Sequence, residues 1–238
     1  MSSIVDRIKK SRDLLADTSL WSAQLTDIDS GIRMTEAFTD LYHIDVADAH
    51  FTPTLLFFPD LVAAINKRTD KPIHVHLMMD NPSILIDEFI EAGADIITVH
   101  VELGEQVGGI IDRLNERRVG VGLAIKVESD LRLLDEYLDM LDVVVVMGTK
   151  IGIKGVGLEP TIPDRIRSLR AKLDAQPRGR DTLISVDGGI RRETVPALRA
   201  AGADIVTPGS LVFKSDDVRA AYGWLKSLPS GPGEAAGI

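Results

Sequence analysis

Short apolar runs of four to eight residues recur along this chain, separated by longer stretches in which Leu, Ala, Glu and Arg fall at helical spacing. Runs of that length, rich in Val and Ile and bounded by Gly, Asp or Pro, predict strands buried on both faces. They lie at Ser19–Ala23, Leu41–Val46, Ile73–Met78, Asp95–Val101, Gly120–Val127, Asp142–Met147, Thr182–Val186 and Asp204–Thr207. The intervening segments, such as NPSILIDEFIEAG and RRETVPALRAAG, carry the 3.6-residue period of surface helices. The first of these, near Ser30–Thr39, is short. Eight strand–helix units predict an α/β fold, a single TIM (β/α)8 barrel over residues 18–228. An open doubly wound sheet is the alternative. Residues 1–17 are expected to form an N-terminal helical extension, capped by Ser2 or Ser3 and aligning Ile4, Ile8 and Leu15 on one face. The last ten residues, 229–238, include SGPGEAAGI and are expected to be a flexible tail.

An internal repeat fits the barrel. EAGADIITVH (91–100) and AAGADIVTPG (200–209) share one grammar, with Gly93 and Gly202 suited to left-handed helix caps ahead of the fourth and eighth strands. The plainer explanation is that Gly-Ala-Asp makes a good helix-to-strand turn.

The 238 residues suffice for one large domain, and 45% of them are hydrophobic, as in ordinary globular proteins. A net charge of −9 argues against nucleic acid or an anionic membrane surface as the main partner. Cysteine is absent, so neither disulfides nor thiolate chemistry enter. The N-terminus lacks the apolar segment of a secretion signal, and no apolar run approaches spanning length. A cytoplasmic enzyme is the expectation.

Chemistry concentrates at strand ends. His43 and Asp45 in LYHIDVAD, His76 in PIHVHLMM and Asp187 in TLISVDGG all lie near the ends of apolar runs. A buried carboxylate costs several kcal/mol unless it is paired or binds a metal. Two His and two Asp at three strand ends suit one divalent cation. The N and O donors favour Zn²⁺, with Mn²⁺, Fe²⁺ or Co²⁺ as alternatives. Taken singly, each His is more often a hydrogen-bonded core residue than a ligand, and an Asp such as Asp187 before Gly188 and Gly189 is usually a turn residue. His74 shares the face of His76. Gly188-Gly189 and Gly209-Ser210 follow the seventh and eighth strands, where this fold frequently binds phosphate. Gly152, Gly155 and Gly157 after the sixth strand suggest a lid. Met78 and Met147 are either core residues or an apolar wall beside the site.

With these residues in view, the chain resembles the ribulose-phosphate 3-epimerase family from about Ser19 to Phe213. SLWSAQL is similar to S-x-L-S-A-D-F, and HIDVADAHFTPT to H-x-D-x-M-D-G-x-F-x-P-N; HVHLM, TVHVE, VDGGI and GSLVF match in order and spacing. The resemblance implies a TIM barrel, one divalent metal and a ketose phosphate substrate. It implies that His43, Asp45, His76 and Asp187 hold the metal, and that Asp45 and Asp187 are also the acid–base pair inverting C3 through an enediolate. It further assigns Ser19 to a substrate hydrogen bond, Met78, Met147, Gly152 and Gly155 to the substrate's surroundings, and the backbone of Gly188, Gly189, Gly209 and Ser210 to phosphate. A homo-oligomer is implied as well. The chain departs from the pattern at Ala47 for Met, Ala49 for Gly, Thr54 for Asn, Gln24 for Asp and Lys126 for Asn. The sixth loop keeps two glycines and loses a Pro, a Phe and a Gln. These departures, with Lys150 and Lys154, are expected to surround the reacting end and lid and to bear on which sugar fits. A decarboxylase or aldolase on the same barrel is the enzymatic alternative, weakened because IDVADAH offers no Lys. A non-catalytic sugar-phosphate-binding homologue is the other.

Overall fold

The computed structural model describes residues 8, 11, 13–153, 155–177 and 179–229. Eight parallel strands close into a barrel in sequence order: β1 (Leu15–Ser19), β2 (Leu41–Ala47), β3 (Ile73–Met78), β4 (Ile96–His100), β5 (Gly120–Ile125), β6 (Val143–Met147), β7 (Leu183–Asp187) and β8 (Ile205–Thr207). β8 returns to β1 with Leu15 opposite Ile205, so no sheet edge remains. The open doubly wound alternative is thereby excluded.

Side chains alternate along every strand and sort into two cores. Outward positions such as Tyr42, Ile44, Val75, Leu77, Val99, Leu123, Val144 and Val206 join the apolar layer under the helices. Inward positions Leu15, Leu41, Ile96, Val143, Leu183 and Ile205 fill the barrel's lower interior, and Ile8 packs with them. The helices α1 (Ile28–Thr35), α2 (Pro59–Asn66), α3 (Ile86–Glu91), α4 (Gln106–Arg117), α5 (Ile162–Asp174), α6 (Val195–Ala201), α7 (Ser210–Phe213) and α8 (Val218–Lys226) form the outer ring. α4, for example, buries Val107, Ile110, Ile111 and Leu114 at i, i+3, i+4 and i+7.

Three expectations are corrected. The first strand is Leu15–Ser19, not Ser19–Ala23; Leu20–Ser22 is a single 3-10 turn. Most of the helical extension expected over 1–17 lies outside the described residues, but its end is strand. Leu14 packs outward, Leu15 inward and Ala16 outward, which is the strand period. The barrel therefore opens at Leu15, upstream of the expected start at 18. The fifth crossover contains no α-helix, only 3-10 turns at Leu131–Leu134 and Leu138–Met140. The expected tail, Pro229 excepted, lies outside the described residues.

The floor of the barrel is tied by a fourfold device. Asp40, Asp95, Asp142 and Asp204 each precede an even-numbered strand. Their carboxylates accept the backbone N–H of Ala16, Ile73, Val121 and Ile184 on the preceding odd-numbered strand, at 2.8–2.9 Å. Each satisfies a backbone donor at the start of a strand. The Gly-Ala-Asp repeat is thus two of four equivalent ties, and Gly93 and Gly202 adopt the left-handed φ of 101° and 108° expected of them. Among the described residues, no helix is long and apolar enough to cross a membrane.

Candidate active site

At the opposite, C-terminal mouth the inward positions turn polar. Register sets the cluster: His43 and Asp45 on β2 lie beside His74 and His76 on β3, and Asp187 ends β7. His43 Nε2 lies 3.4 Å from Asp45 Oδ1 and 3.9 Å from Asp187 Oδ2. His76 Nδ1 lies 3.7 Å from the same two oxygens. These separations are close to the edges of a tetrahedron whose corners lie about 2.0–2.2 Å from its centre. His43 Nε2 and His76 Nδ1 are buried and have no hydrogen-bond partner. Two orphaned imidazole nitrogens aimed at two carboxylates are costly as a purely structural arrangement. They fit a divalent cation held by His43, Asp45, His76 and Asp187.

The imidazoles are supported from behind by residues the sequence reading passed over. Asp17, fully buried on β1, accepts from Nδ1 of both His43 and His74 through Oδ2, at 2.9 and 2.6 Å. His74 Nε2 is 2.7 Å from the Thr98 hydroxyl. That contact needs a glycine opposite: a Cβ on Gly122 would lie 1.9 Å from Thr98 Oγ1. Asp17 is hidden in the sequence because LLAD, residues 14–17, falls in the expected helical extension. A carboxylate inside an apolar strand was the available signal, the one that exposed Asp45. On the other flank His76 Nε2 contacts His100 Nε2 at 2.9 Å, and His100 Nδ1 contacts Glu102 at 3.1 Å.

Burial and neighbouring charge pull these groups in opposite directions. Burial raises Asp17, but His74 and His43 outweigh it and bring it down to about 2. Burial likewise raises Asp45, and His43 and His76 hold it well below the carboxylate range. Asp187 is pushed up to about 7, by burial first and then by the Asp45 charge. Burial pushes His43 down, and the carboxylates of Asp17 and Asp45 overcome it and raise it. His76 falls to about 3, chiefly through burial. Two carboxylates at one site thus have their proton affinities pushed apart.

Above the cluster a cavity opens, lined by Ser19, Met78, Met147, Gly152, Gly155, Gly188, Gly189, Gly209 and Ser210 together with Asp45 and Asp187. His43 and His76 lie beneath its floor, fully buried. Ser19 donates to Asp45 Oδ2 at 2.9 Å. Trp21, Ser22, Thr149, Lys150, Arg191 and Thr207 also line it and were not anticipated as site residues, apart from Lys150. The loop after β6 bends over the cavity and is held from two sides. Thr52 donates to the Ile151 carbonyl, and Arg191 Nη2 to the carbonyls of Gly155 and Val156, each at 3.2 Å. Gly188 and Gly189 have φ of 95° and 71°, and a Cβ on Gly189 would press to 2.8 Å on the Leu158 backbone. This turn requires glycine.

Two expected positions are corrected or left open. Lys126 does not line the cavity: its ammonium lies 3.9 Å over the Phe51 ring, a cation–π contact that turns it away from the reacting end. Lys154 lies outside the described residues.

A parallel (β/α)8 barrel with imidazole and carboxylate groups gathered at the C-terminal mouth and glycine turns after β7 and β8 defines the class. Its chemistry sits on strand ends and its grip on loops. Residues 15–213 match the ribulose-phosphate 3 epimerase family, and the chain belongs to that family. The ribulose-phosphate 3-epimerase of Chlamydia muridarum (strain MoPn / Nigg) is 34% identical over 210 residues, 88% of this chain and 92% of that protein. The Bacillus subtilis (strain 168) ribulose-phosphate 3-epimerase is 32% identical over 208 residues, covering 87% and 93%. Among solved structures, 3-keto-L-gulonate-6-phosphate decarboxylase from Vibrio cholerae superposes with a TM-score of 0.65 at 16% identity, over 90% of this chain and 97% of that one. That likeness concerns the fold alone.

Proposed function

We propose that this protein is a metal-dependent isomerase that inverts C3 of a ketose phosphate, ribulose 5-phosphate or a related sugar phosphate. The observation that carries the reading is the convergence of His43, Asp45, His76 and Asp187, with two buried imidazole nitrogens left unpartnered. Those four residues would hold one divalent cation, Zn²⁺ first by donor type, with Mn²⁺, Fe²⁺ or Co²⁺ as alternatives. When bound, such a cation supplies Lewis-acid stabilisation of the negative charge that develops on substrate oxygens.

The chain's own groups supply the proton chemistry. Asp45 and Asp187 come from β2 and β7, which flank β1 and β8 around the barrel. A sugar chain laid across the mouth meets one carboxylate on each face. One carboxylate takes the C3 proton, leaving an enediolate. The other delivers a proton to the opposite face, so the proton count balances and C3 is inverted. Ser19 orients Asp45 through its hydrogen bond. Met78 and Met147 wall the reacting end with apolar surface. The turns Gly188-Gly189 and Gly209-Ser210 let backbone N–H groups approach the phosphate. Membership of the family and the names of its relatives support the same reading.

Exchange of the C3 hydrogen tests it. Zn²⁺- or Mn²⁺-loaded protein incubated with ribulose 5-phosphate and with tetrulose and hexulose phosphates in deuterated water should place deuterium at C3 of at least one of them. Deuterium at no carbon in any of these substrates, from protein shown to be metal-loaded, overturns the proposal.

A further inference from the structure

The family motif TVHVE carries no role in the chemistry above, yet it supplies the partners behind His76. The reasoning rests on which atoms are able to donate. A carboxylate only accepts. His100 Nδ1, 3.1 Å from Glu102 Oε2, must therefore carry the hydrogen of that contact. Glu102 is fixed in turn, because its Oε1 accepts the backbone N–H of Lys126 at 2.8 Å. With its hydrogen on Nδ1, neutral His100 offers Nε2 as an acceptor. Among the described residues its ring-nitrogen partner is His76 Nε2, at 2.9 Å, so the hydrogen between them belongs to His76. His76 then has a bare Nδ1, and Nδ1 is the buried, unpartnered atom 3.7 Å from both Asp45 and Asp187.

We infer that Glu102 and His100 are positioning residues that fix His76 as the Nε2–H tautomer, so that its Nδ1 lone pair faces Asp45 and Asp187. This deepens the proposed metal site and rests on it for its consequence, but the tautomer itself is a property of the metal-free chain. The alternative arrangement, with the shared hydrogen on His100 Nε2, would put the His76 hydrogen on Nδ1 and block the ligand position. Packing holds the relay in register: His76 and His100 stack at 5.0 Å with ring planes 27° apart, and Phe51 covers His100 at 4.8 Å. The Lys126 ammonium lies over the Phe51 ring, 3.9 Å from its centroid. The family's Asn position thus carries a lysine whose charged end touches the support of a histidine rather than the cavity. His43 is set the opposite way, with Nδ1 on Asp17 and Nε2 forward, and needs no intervening ring.

The test has two arms. Long-range ¹H–¹⁵N correlation spectra of the metal-free wild-type protein, with the five histidines assigned by substitution, read each tautomer directly. The expected result is hydrogen on Nε2 of His76 and on Nδ1 of His100. Hydrogen on Nδ1 of His76 overturns the inference, whether or not the protein binds metal. The second arm titrates Zn²⁺ against a chromophoric chelator. Loss of an outer-sphere partner typically costs about 10–100-fold in metal affinity. His100→Leu and Glu102→Leu should fall in that range, while His100→Gln, whose amide oxygen can still accept from His76, should recover most of it. Affinity within twofold of wild type in both Leu variants overturns the positioning role. Should either Leu variant fail to fold, Glu102→Gln and the wild-type spectra still decide. Wild-type protein with no Zn²⁺ affinity would sink the metal reading while leaving the tautomer measurement standing.

Discussion

The two ends of the cavity are made from different material. At one end, side chains on β2, β3 and β7 converge, and those on β2 and β3 are each backed by a second buried group: Asp17 behind His43, His100 behind His76, Ser19 on Asp45. At the other, glycine turns and a loop tied by Thr52 and Arg191 form the wall. Side chains on closed strands are fixed by register, so changing one dislocates its neighbours as well. Loops that make contact through backbone tolerate other side chains so long as the turn survives. Most departures from the family pattern fall in loops, with Ala47 on β2 the exception. Ala49 and Thr54 lie in the loop after β2, and the altered sixth loop lines the cavity. The His–Asp set is untouched.

Breaking the strand-borne end should have the largest effect. General acid–base groups typically contribute about 10²–10⁴-fold, so Asp45→Asn and Asp187→Asn should each lose at least ~10²-fold in kcat. Circular dichroism should show the barrel intact. Near-normal turnover by either variant would remove the distinction between the two ends.

The loop-borne end predicts a different kinetic signature. A Cβ on Gly209 would stand 2.2 Å from Ser22 Oγ. Gly209→Ala should therefore displace the turn after β8 and raise KM about tenfold, near 1.4 kcal/mol, with kcat little changed. Removing the obstructing hydroxymethyl in the double variant Gly209→Ala with Ser22→Gly should recover part of that loss. A fall in kcat with KM unchanged would place Gly209 with the chemistry instead.

The smallest effect concerns stability alone. Ala49 holds φ of 61°, a left-handed conformation in the loop after β2, where the family has Gly. That conformation costs a non-glycine residue about 1–2 kcal/mol. Offset by the greater unfolded-state entropy of glycine, Ala49→Gly should raise stability by roughly 0.5–1 kcal/mol in urea unfolding. A loss of stability would show that the loop is not strained there.

Legibility in the sequence follows the same physics. Ile73–Met78 was readable to the residue, because an apolar run between Pro72 and a polar Asp80-Asn81 admits one register. β1 was not, since Leu15 completes a helical face with Ile4 and Ile8, and one period match hid another. That slip concealed Asp17, and with it the support of His43. His100 and Glu102 were visible as a motif, but the relay to His76 depends on β3–β4 register, which no single run contains. Lys126 was misplaced for a related reason: its direction is set by Phe51, which lies 75 residues upstream.

The four aspartates at the floor have a kinetic consequence. Each closes a loop of only 20–24 residues between a strand start and the turn before the next strand. Short closures cost little chain entropy, so four two-stranded modules can each form early and locally. Seven of the eight strand pairings join sequence neighbours. The eighth brings Leu15 to Ile205 and must wait until the others have curled the sheet. Closure of β1 on β8 is then the slow, late event of folding. Asp17 and Ser19 meet His43 and Asp45 inside the β1–β2 module, but Asp187 on β7 reaches that cluster only when the barrel closes.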